Sequence, residues 1–224
     1  MILREWLISK LTREQLDAFV AAHATNAHTL DIGCCDSPYS KYFPNRVGFD
    51  IESGKGVDVV GDAHTLPFKD SEFENILCTE VLEHLHTPER AIAEMKRVLK
   101  PNGTLLLSTR FVFPIHDAPG DYFRYTKYGL RHLFRDWEIV EMREEVSTMK
   151  TIGVLLQRVV FQSDLRGGIF SKTLLLLGAR LVGSFQFLIR KEYGMKSKRG
   201  IHKEHSVMTS GYYLVARKRD SAKP

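Results

Sequence analysis

Three aspartates stand at the ends of short apolar runs in the first third of the chain. They are Asp31, Asp50 and Asp62. Asp50 follows Asp31 by about 20 residues, the distance at which nucleotide-binding sheets place an acid on the ribose hydroxyls. A carboxylate accepts two hydrogen bonds, and Asp62 could likewise accept from an adenine amino group. Singly, each aspartate is equally well explained as a helix cap or turn residue, but together they predict a site for a nucleoside.

The loop after Asp31 reads Gly33-Cys34-Cys35-Asp36-Ser37-Pro38 and contains one glycine. A dinucleotide site needs G-x-G-x-x-G, so that a pyrophosphate can rest on the start of a helix. Asp36 would repel that pyrophosphate, whereas it favours a ligand with a cationic centre and an ammonium group. Paired cysteines could indicate redox chemistry instead. Adjacent cysteines do not bridge easily, however, and the neighbouring aspartates would raise the thiol pKa values.

A second polar group follows the fifth apolar run, in the segment PIHDAPGDYFRYT at 114–126. Its two prolines and its glycine predict a fixed loop. His116 is the candidate general base, because an unperturbed pKa of about 6.5 suits the removal of a hydroxyl proton. Asp121 could orient His116, and Arg124 could bind a carboxylate or phosphate, with Tyr125 as a further substrate-binding candidate. The alternative is that Asp121, Arg124 and Tyr125 only hold the loop in place.

Apolar runs that alternate with helix-like segments must position these residues. Strands are predicted at 29–32, 46–51, 57–60, 74–79, 104–109, 138–143 and 211–217. A helix begins at Pro88 and repeats apolar residues at helical spacing as far as Leu99, and a shorter helix is predicted over 126–134. This order predicts a parallel sheet covered on both faces, with its ligand outside the carboxyl ends of the strands.

The segment 144–210 breaks this alternation with two apolar helical stripes, at 152–160 and within 170–191. The second stripe contains four consecutive leucines, a feature of membrane spans. Two charges and two glycines fall within that window, so we expect no full span: Lys172, Arg180, Gly178 and Gly183. The segment could cover the acceptor site, form a dimer face or contact a membrane, and core packing explains its stripes equally well.

Composition narrows the setting of the protein. A chain of 224 residues with 43% hydrophobic and 26% charged residues is typical of one soluble domain. The net charge of +5 is concentrated late in the chain and indicates either a solvated surface or attraction to phosphate. The basic residues do not interleave with aromatics as in nucleic-acid readers, so we expect no nucleic-acid partner. Three cysteines without disulfide or zinc spacing predict a reducing, cytoplasmic setting and no metal site, and we expect no secretory signal.

The combined motifs resemble class I S-adenosylmethionine-dependent methyltransferases. The resemblance rests on Asp31-Ile32-Gly33-Cys34, Gly48-Phe49-Asp50-Ile51, Gly61-Asp62-Ala63 and Leu66-Pro67-Phe68. Two further motifs, Glu80-Val81-Leu82-Glu83-His84-Leu85 and Arg97-Val98-Leu99-Lys100-Pro101-Asn102-Gly103, are similar to the type 11 group. The segment 114–126 resembles P-x-H-x-x-P-x-D-x-x-R-Y-T in members from bacterial glycan and natural-product clusters. The resemblance covers 29–143.

The resemblance implies a Rossmann-like α/β fold with a mostly parallel seven-stranded sheet, helices on both faces and a helical insertion before the last strand. The chain is then a single methyltransferase domain over 1–224. Within that domain we expect a cofactor-binding core at 1–143, a helical insertion or acceptor cap at 144–210 and the last strand at 211–217.

The resemblance also implies contacts to S-adenosylmethionine. Carried over by position, these are Asp31 and Gly33 beside the methionine part, Asp50 on the ribose, Ile51 against the adenine, Asp62 with Ala63 at the adenine edge, and Glu80 beside the sulfonium or the ammonium. Cys35 and Ser37 replace the second and third glycines of the family's D-x-G-x-G-x-G. A Cβ atom at either position limits how closely the backbone approaches the cofactor.

The predicted function is methyl transfer from S-adenosylmethionine to a hydroxyl, or another nucleophile, of a small-molecule, glycan or lipid-linked acceptor. The alternative is a non-catalytic protein that keeps the fold as a binding or assembly subunit, which the two missing glycines favour. The sequence predicts a cytoplasmic location, and it leaves a peripheral membrane contact and the oligomeric state open.

Overall fold

The computed structural model describes residues 2–35, 38–197 and 200–219. Expectations for Asp36 and Ser37 therefore concern residues outside this description. Contacts divide the chain into two compact units. The sheet unit comprises Asp17–Arg110, Ile115–Arg143 and the chain from Tyr212 onward, and the helical unit comprises the chain up to Leu16, Phe111–Pro114 and Glu144–Gly211.

The described residues of the two units together form nine strands and six α-helices. The strands are β1 (Thr29–Ile32), β2 (Arg46–Asp50), β3 (Val59–Val60), β4 (Phe73–Thr79), β5 (Leu99–Arg110), β6 (Glu138–Glu144), β7 (Glu192–Ser197), β8 (Gly200–Glu204) and β9 (Gly211–Arg217). The helices are α1 (Ile2–Ile8), α2 (Arg13–Ala21), α3 (Pro88–Val98), α4 (Lys127–Leu133), α5 (Thr148–Gln162) and α6 (Gly168–Val182).

Seven strands form one sheet in the order β3-β2-β1-β4-β5-β9-β6 across the described residues. β1 pairs in parallel with β2 and β4, β2 with β3, and β4 with β5. The central strands are buried, with Leu30, Ile76 and Leu105 all at 0% exposure. Continuous apolar runs are expected where both faces of a sheet are covered. The predicted mostly parallel, seven-stranded Rossmann-like sheet is confirmed.

The start of α3 and its buried face follow from local features of the sequence. Pro88 occupies the first turn, and the helix buries Ala91, Ile92 and Met95 at helical spacing. The helix ends at Val98, and β5 begins at the next residue, earlier than the sequence predicts. The difference arises because Leu99 pairs with Phe73 and Asn102 donates to the Lys218 carbonyl. The Pro-Asn-Gly segment is therefore part of the strand.

The helical unit is built around α5 and α6. The two helices approach so closely that a Cβ on Gly153 would lie 2.4 Å from the backbone oxygen of Ala179. Leu11 packs on the small core of Phe113, Val146 and Val154. A 3-10 helix, Gly183–Leu188, follows α6, and β7 and β8 form an antiparallel pair. By length and composition alone, Gly168–Leu188 could cross a membrane, with a mean hydropathy of 1.3.

Candidate cofactor and acceptor site

The carboxyl ends of the parallel strands meet at one edge of the sheet unit. Register pairs Ile32 with Phe49 and Cys78, and it pairs Thr79 with Ser108. Residues that follow β1, β2, β3 and β4 therefore share this edge, where open α/β sheets bind ligands. The predicted cofactor residues follow these four strands, except for Asp31, which is the last residue but one of β1, and Asp50, which ends β2.

Gly33 makes the turn after β1. Its φ of +72° is a backbone conformation that glycine favours, and its N–H donates to the Phe49 carbonyl at 2.8 Å. A Cβ on Gly33 would lie 2.2 Å from Val81 Cγ2. Any side chain here would therefore displace Val81 and alter the turn on which the predicted site depends.

Asp50 joins the ends of β1 and β2. Its Oδ2 accepts from the Cys35 N–H at 3.0 Å, and its Oδ1 accepts from the Glu52 N–H at 3.3 Å. These bonds hold the carboxylate in one orientation at the sheet edge. The next residue, Ile51, is 73% exposed and offers an apolar surface beside that carboxylate. An exposed apolar side chain next to an oriented acid suits the predicted ribose and adenine positions.

Cys35 adopts a left-handed backbone with a φ of +23°. Non-glycine residues pay about 1–2 kcal/mol in that region. A Cβ at this position also limits how closely the backbone approaches the predicted cofactor, so we expect Cys35→Gly to raise the affinity for S-adenosylmethionine about fivefold, which corresponds to about 1 kcal/mol. Calorimetric titration measures the change, and Cys35→Ala is the matched control because it keeps the Cβ. Equal affinities for the glycine and alanine variants would contradict the prediction.

Asp31 is 1% exposed and lies against Arg46, whose Nη1 is 3.3 Å from its Oδ2. Arg46 Nη2 also donates to the Gly56 carbonyl at 3.0 Å. Neighbouring Cys34 is buried, and burial, followed by the charge of Asp31, raises the pKa of its thiol. A raised thiol pKa disfavours the thiolate that redox chemistry requires. Asp31 has a structural partner that the sequence did not reveal, and its contact with the methionine part stays a prediction.

Asp62 is oriented by His64. Its Oδ1 accepts from the His64 N–H at 2.8 Å and lies 2.5 Å from His64 Nδ1. The Thr87 N–H donates to His64 Nε2 at 3.2 Å, so Nδ1 carries the ring proton and donates to Asp62. The His64 backbone bond is the main cause that lowers the pKa of Asp62. Ala63 is buried between them at 7% exposure.

Glu80 follows β4 with a φ of +59°, and its N–H donates to the Ser108 carbonyl at 3.0 Å. Its Oε1 forms an ion pair with Nη2 of Arg110, a residue that is 2% exposed at the end of β5. The arginine neutralises part of the charge that was predicted to face the sulfonium or ammonium. The cofactor contact of Glu80 stays a prediction.

The loop 115–125 is fixed to the 3-10 helix Leu82–His84. The N–H groups of Tyr122 and Phe123 both donate to the Glu83 carbonyl, at 3.0 and 3.1 Å. His84 Nδ1 lies 2.9 Å from the Gly120 carbonyl, and the Tyr125 hydroxyl donates to the Leu82 carbonyl at 3.3 Å. The two motifs thus form one substructure. Tyr125 is 7% exposed and acts in this anchoring, and its predicted substrate contact is untested.

His116 lies between two carboxylates. Its Nδ1 is 3.5 Å from Asp121 Oδ2, and its Nε2 is 4.0 Å from Glu83 Oε1. The ring packs edge-on against His84, with centroids 4.8 Å apart. Burial is the largest of the effects that lower the pKa of His116. A ring that is neutral near pH 7 and 13% exposed is suited to accept a proton.

Glu83 was missed as a site residue. It is fully buried, and its Oε2 accepts from the Thr109 hydroxyl at 2.7 Å. Burial raises the pKa of its carboxyl. The ligand atoms of Glu83, His84 and His116 all lie within 4.8 Å of one another, a grouping that could hold a metal ion. Linear spacing did not predict this cluster, because His116 comes from a different loop.

Asp121 and Arg124 form a two-bond ion pair, with both nitrogen–oxygen distances at 2.6 Å. Asp121 Oδ2 also accepts from the His116 N–H at 2.8 Å, and the Asp121 side chain is 2% exposed. Arg124 is the main cause that lowers the pKa of Asp121 to about 2. This geometry matches the alternative in which these residues pin the loop. Orientation of His116 by Asp121 and substrate binding by Arg124 stay predictions.

We expect Asp121→Asn to lower the free energy of unfolding by up to about 2.6 kcal/mol at pH 7, because the carboxyl pKa falls from about 3.9 to about 2 on folding. A carboxyl whose pKa is lower in the folded state stabilises the fold at pH values above its pKa in the unfolded chain. The difference between wild type and variant should therefore shrink as the pH falls from 4 through 2. Urea unfolding at several pH values measures it. A difference that is independent of pH would contradict the role of the charged pair.

Part of the chain is similar to a known protein family. Residues 30–107 match the family model described as a methyltransferase domain. An uncharacterised protein of Methanocaldococcus jannaschii is 27% identical over 139 residues, which cover 58% of this chain and 66% of that protein. A demethylmenaquinone methyltransferase of Renibacterium salmoninarum is 38% identical over 77 residues, or 34% of this chain and 30% of its own length. The chain thus spans less than two thirds of these relatives.

Solved structures share the fold at low sequence identity. The [4+2]-cyclase SpnF superposes with a TM-score of 0.58 at 18% identity, covering 93% of this chain and 80% of its own. A Burkholderia thailandensis 1,6-didemethyltoxoflavin N1-methyltransferase, solved with 1,6-didemethyltoxoflavin and S-adenosylhomocysteine, gives 0.56 at 14% identity, covering 97% and 82%. These likenesses show the fold alone. A cyclase beside a methyltransferase illustrates that one fold serves different reactions.

Proposed function

We propose that this chain, whose residues 30–107 belong to the methyltransferase domain family of the type 11 group, transfers a methyl group from S-adenosylmethionine to a hydroxyl acceptor. The observation that carries the proposal is the pair of oriented carboxylates at adjacent strand ends. Asp50 is held by two backbone N–H groups, and Asp62 is held by His64. Oriented acids with an exposed Ile51 beside them fit a ribose and an adenine ring.

The residues present suit the cofactor chemically. Asp50 would accept from the ribose hydroxyls, Ile51 would pack on the adenine, and Asp62 would accept from the adenine amino group. Gly33 leaves room at the turn after β1, where a Cβ would collide with Val81. When bound, S-adenosylmethionine supplies a methyl group on a positively charged sulfur, which needs no further activation by the protein.

His116 is the proposed general base for the acceptor. Its Nε2 takes the proton from the acceptor hydroxyl as the oxygen gains the methyl group. Asp121 and Arg124 hold the loop that carries His116, and the lowered pKa keeps the imidazole neutral. Positioning of two reactants is worth up to roughly 7–11 kcal/mol in ideal alignment. An acceptor with its own acidic group would depend less on His116 than an alcohol or a sugar.

The proposed acceptor is a molecule that carries a hydroxyl group. A small molecule, a glycan and a lipid-linked intermediate all present hydroxyl groups that His116 could deprotonate. Demethylmenaquinone methyltransferases are among the relatives, but the one compared above matches over 34% of this chain. We therefore rest the hydroxyl acceptor on the site chemistry rather than on the relatives.

Two experiments test the proposal in order. Calorimetric titration with S-adenosylmethionine should show binding, whereas a protein that keeps only the fold as a scaffold should give no binding heat. Incubation of the purified protein with methyl-labelled cofactor and cell extract should then transfer label to the lipid, polymer or small-molecule fraction. Cofactor binding without transfer to any fraction would overturn methyl transfer, and no binding heat would overturn the whole proposal.

A further inference from the structure

The outward surface of α6 and the following 3-10 helix is apolar. Six of its side chains are between 45% and 82% exposed, and we call them the α6 face: Ile169, Phe170, Leu174, Leu177, Leu181 and Phe187. Only 11% of the most apolar window in this helical segment is buried. A surface helix in water normally turns its polar residues outward. A contiguous exposed apolar surface of this kind marks a site of interaction.

The α6 face is not needed to hold the helix in place. Phe170, Leu174, Leu177 and Leu181 follow one another at helical spacing on the exposed stripe. The other stripe is buried, with Leu176 at 7% and Ala179 at 2% exposure, and Ala179 lies against Gly153 of α5. The packing of α6 within its unit therefore uses one stripe and leaves the larger apolar side chains for another partner.

Contacts within the helical unit favour a helix that lies along a surface over one that crosses a membrane. Arg180 Nη2 donates to the Ser9 carbonyl at 2.6 Å, and its guanidinium stacks 4.9 Å from the Trp6 ring. A membrane span would remove these bonds and place Lys172 and Arg180 in hydrocarbon, which is costly.

Basic residues outnumber acidic residues in the segment that carries the α6 face. The segment 144–210 contains eleven Lys and Arg against five Asp and Glu, whereas the rest of the chain is close to neutral. Two of the five acids, Glu145 and Glu192, are buried and hydrogen-bonded to Ser210 and Thr148. The exposed charged residues that flank the face are Asp164 and Arg166 before it and Arg190 with Lys191 after it. Basic residues at both ends of an apolar stripe complement anionic headgroups.

We propose that the α6 face binds the surface of an anionic lipid bilayer. The apolar side chains enter the boundary between headgroups and acyl chains, while Arg166, Arg190 and Lys191 contact lipid phosphates. A second copy of the chain is a poorer occupant, because a symmetric interface would bring two segments of the same positive charge together. The inference is independent of the proposed methyl transfer, since it uses only residues of the helical unit.

Vesicle co-sedimentation tests the proposal with the full chain. Vesicles of phosphatidylcholine alone are compared with vesicles that also contain phosphatidylglycerol, at low and high salt. We expect binding to the anionic vesicles, weakened by salt, and a loss of at least about tenfold in the partition coefficient for Phe170→Ser combined with Leu174→Ser. The matched control replaces two exposed apolar residues of the sheet unit, Tyr128→Ser with Val140→Ser, and should bind like wild type.

Three results would overturn the proposal. The first is that the wild type binds neither kind of vesicle. The second is that the α6-face variant binds vesicles as well as the wild type does. The third is that the wild type is a dimer that binds no vesicle, whereas the α6-face variant is a monomer. Circular dichroism melting establishes that the variants fold. Titration with S-adenosylmethionine contains no lipid, so a failure here leaves the proposed methyl transfer standing, and the reverse also holds.

Discussion

Asp50→Ala lowers the affinity for S-adenosylmethionine by about 100-fold. In the proposed site the Asp50 carboxylate accepts from both ribose hydroxyls, and each bond to a charged acceptor is worth about 1.5–3 kcal/mol. Loss of two such bonds corresponds to about two decades or more in affinity. Asp50→Asn keeps one acceptor for the Cys35 N–H and should lose about tenfold. Calorimetric titration of both variants measures the series.

The control for this series is Asp58→Asn. Asp58 Oδ2 accepts from the Gly48 N–H at 2.7 Å, so it is a structural carboxylate near the same strand that is not placed on the ribose. We expect its loss to lower the melting temperature and to leave cofactor affinity within about threefold of wild type. Equal losses of affinity in the Asp50 and Asp58 variants would mean that Asp50 acts through the fold, and unchanged affinity in Asp50→Ala would remove its ribose role.

The sheet was predictable because its signals are local. The strands β1 and β9 begin and end at the predicted residues, since each is a short apolar run between polar or turn-forming neighbours. The helix α4 was predicted as 126–134 and spans Lys127–Leu133, and the side chain of its N-cap, Thr126, accepts from the Gly129 N–H at 3.1 Å. Such features depend on residues within one or two turns of each other.

The helical unit depends on distant contacts that periodicity does not encode. Gln157 of α5 accepts from the Leu11 N–H and donates to the Ser9 carbonyl, which ties the N-terminal segment to a helix about 150 residues later. The pair β7–β8 was read only as part of a basic segment, because its strands carry charged residues and lack an apolar alternation. The predicted acceptor-cap role of 144–210 remains a prediction.

The candidate site likewise contains residues that local sequence signals predict and residues that they do not. Acids at strand ends were found because strand ends can be located from sequence, whereas the partners Arg46 and Arg110 lie on neighbouring strands. One signal was available for Arg110. An arginine that closes a long apolar run is rarely buried without an acidic partner, and the neighbouring strand end offers Glu80. Contact between Glu83 and His116 could not be inferred, because it requires the loop to fold back onto the 3-10 helix.

His116→Gln should lower turnover by about 10²–10⁴-fold for a hydroxyl acceptor, the range that general base catalysis contributes. Glutamine keeps polar atoms of similar reach but takes up no proton near neutral pH. Cofactor affinity should stay close to that of wild type, since the proposed cofactor contacts of Asp50 and Asp62 lie at other strand ends. Steady-state rates with saturating cofactor and calorimetric titration measure the two effects separately. Loss of cofactor binding would show that His116 does not act as proposed.

The pH profile separates a base from a packing residue. Burial lowers the pKa of His116 below its ordinary value of about 6.5, so the wild-type rate should be full at neutral pH and fall as the pH drops through that lowered pKa. His116→Gln should lack this acidic limb. His84→Gln is the matched control, because His84 touches the same ring and anchors Gly120. The control should lower the rate less and keep the limb.

A chelator distinguishes the base from a metal ligand at the same atoms. A metal held by Glu83, His84 and His116 would occupy the His116 Nε2 lone pair, so the imidazole could not also accept a proton there. We expect full activity after treatment with a chelator. If activity disappears and a divalent cation restores it, the cluster is a metal centre. The fall in rate at acidic pH would then result from protonation of the metal ligands rather than of a general base.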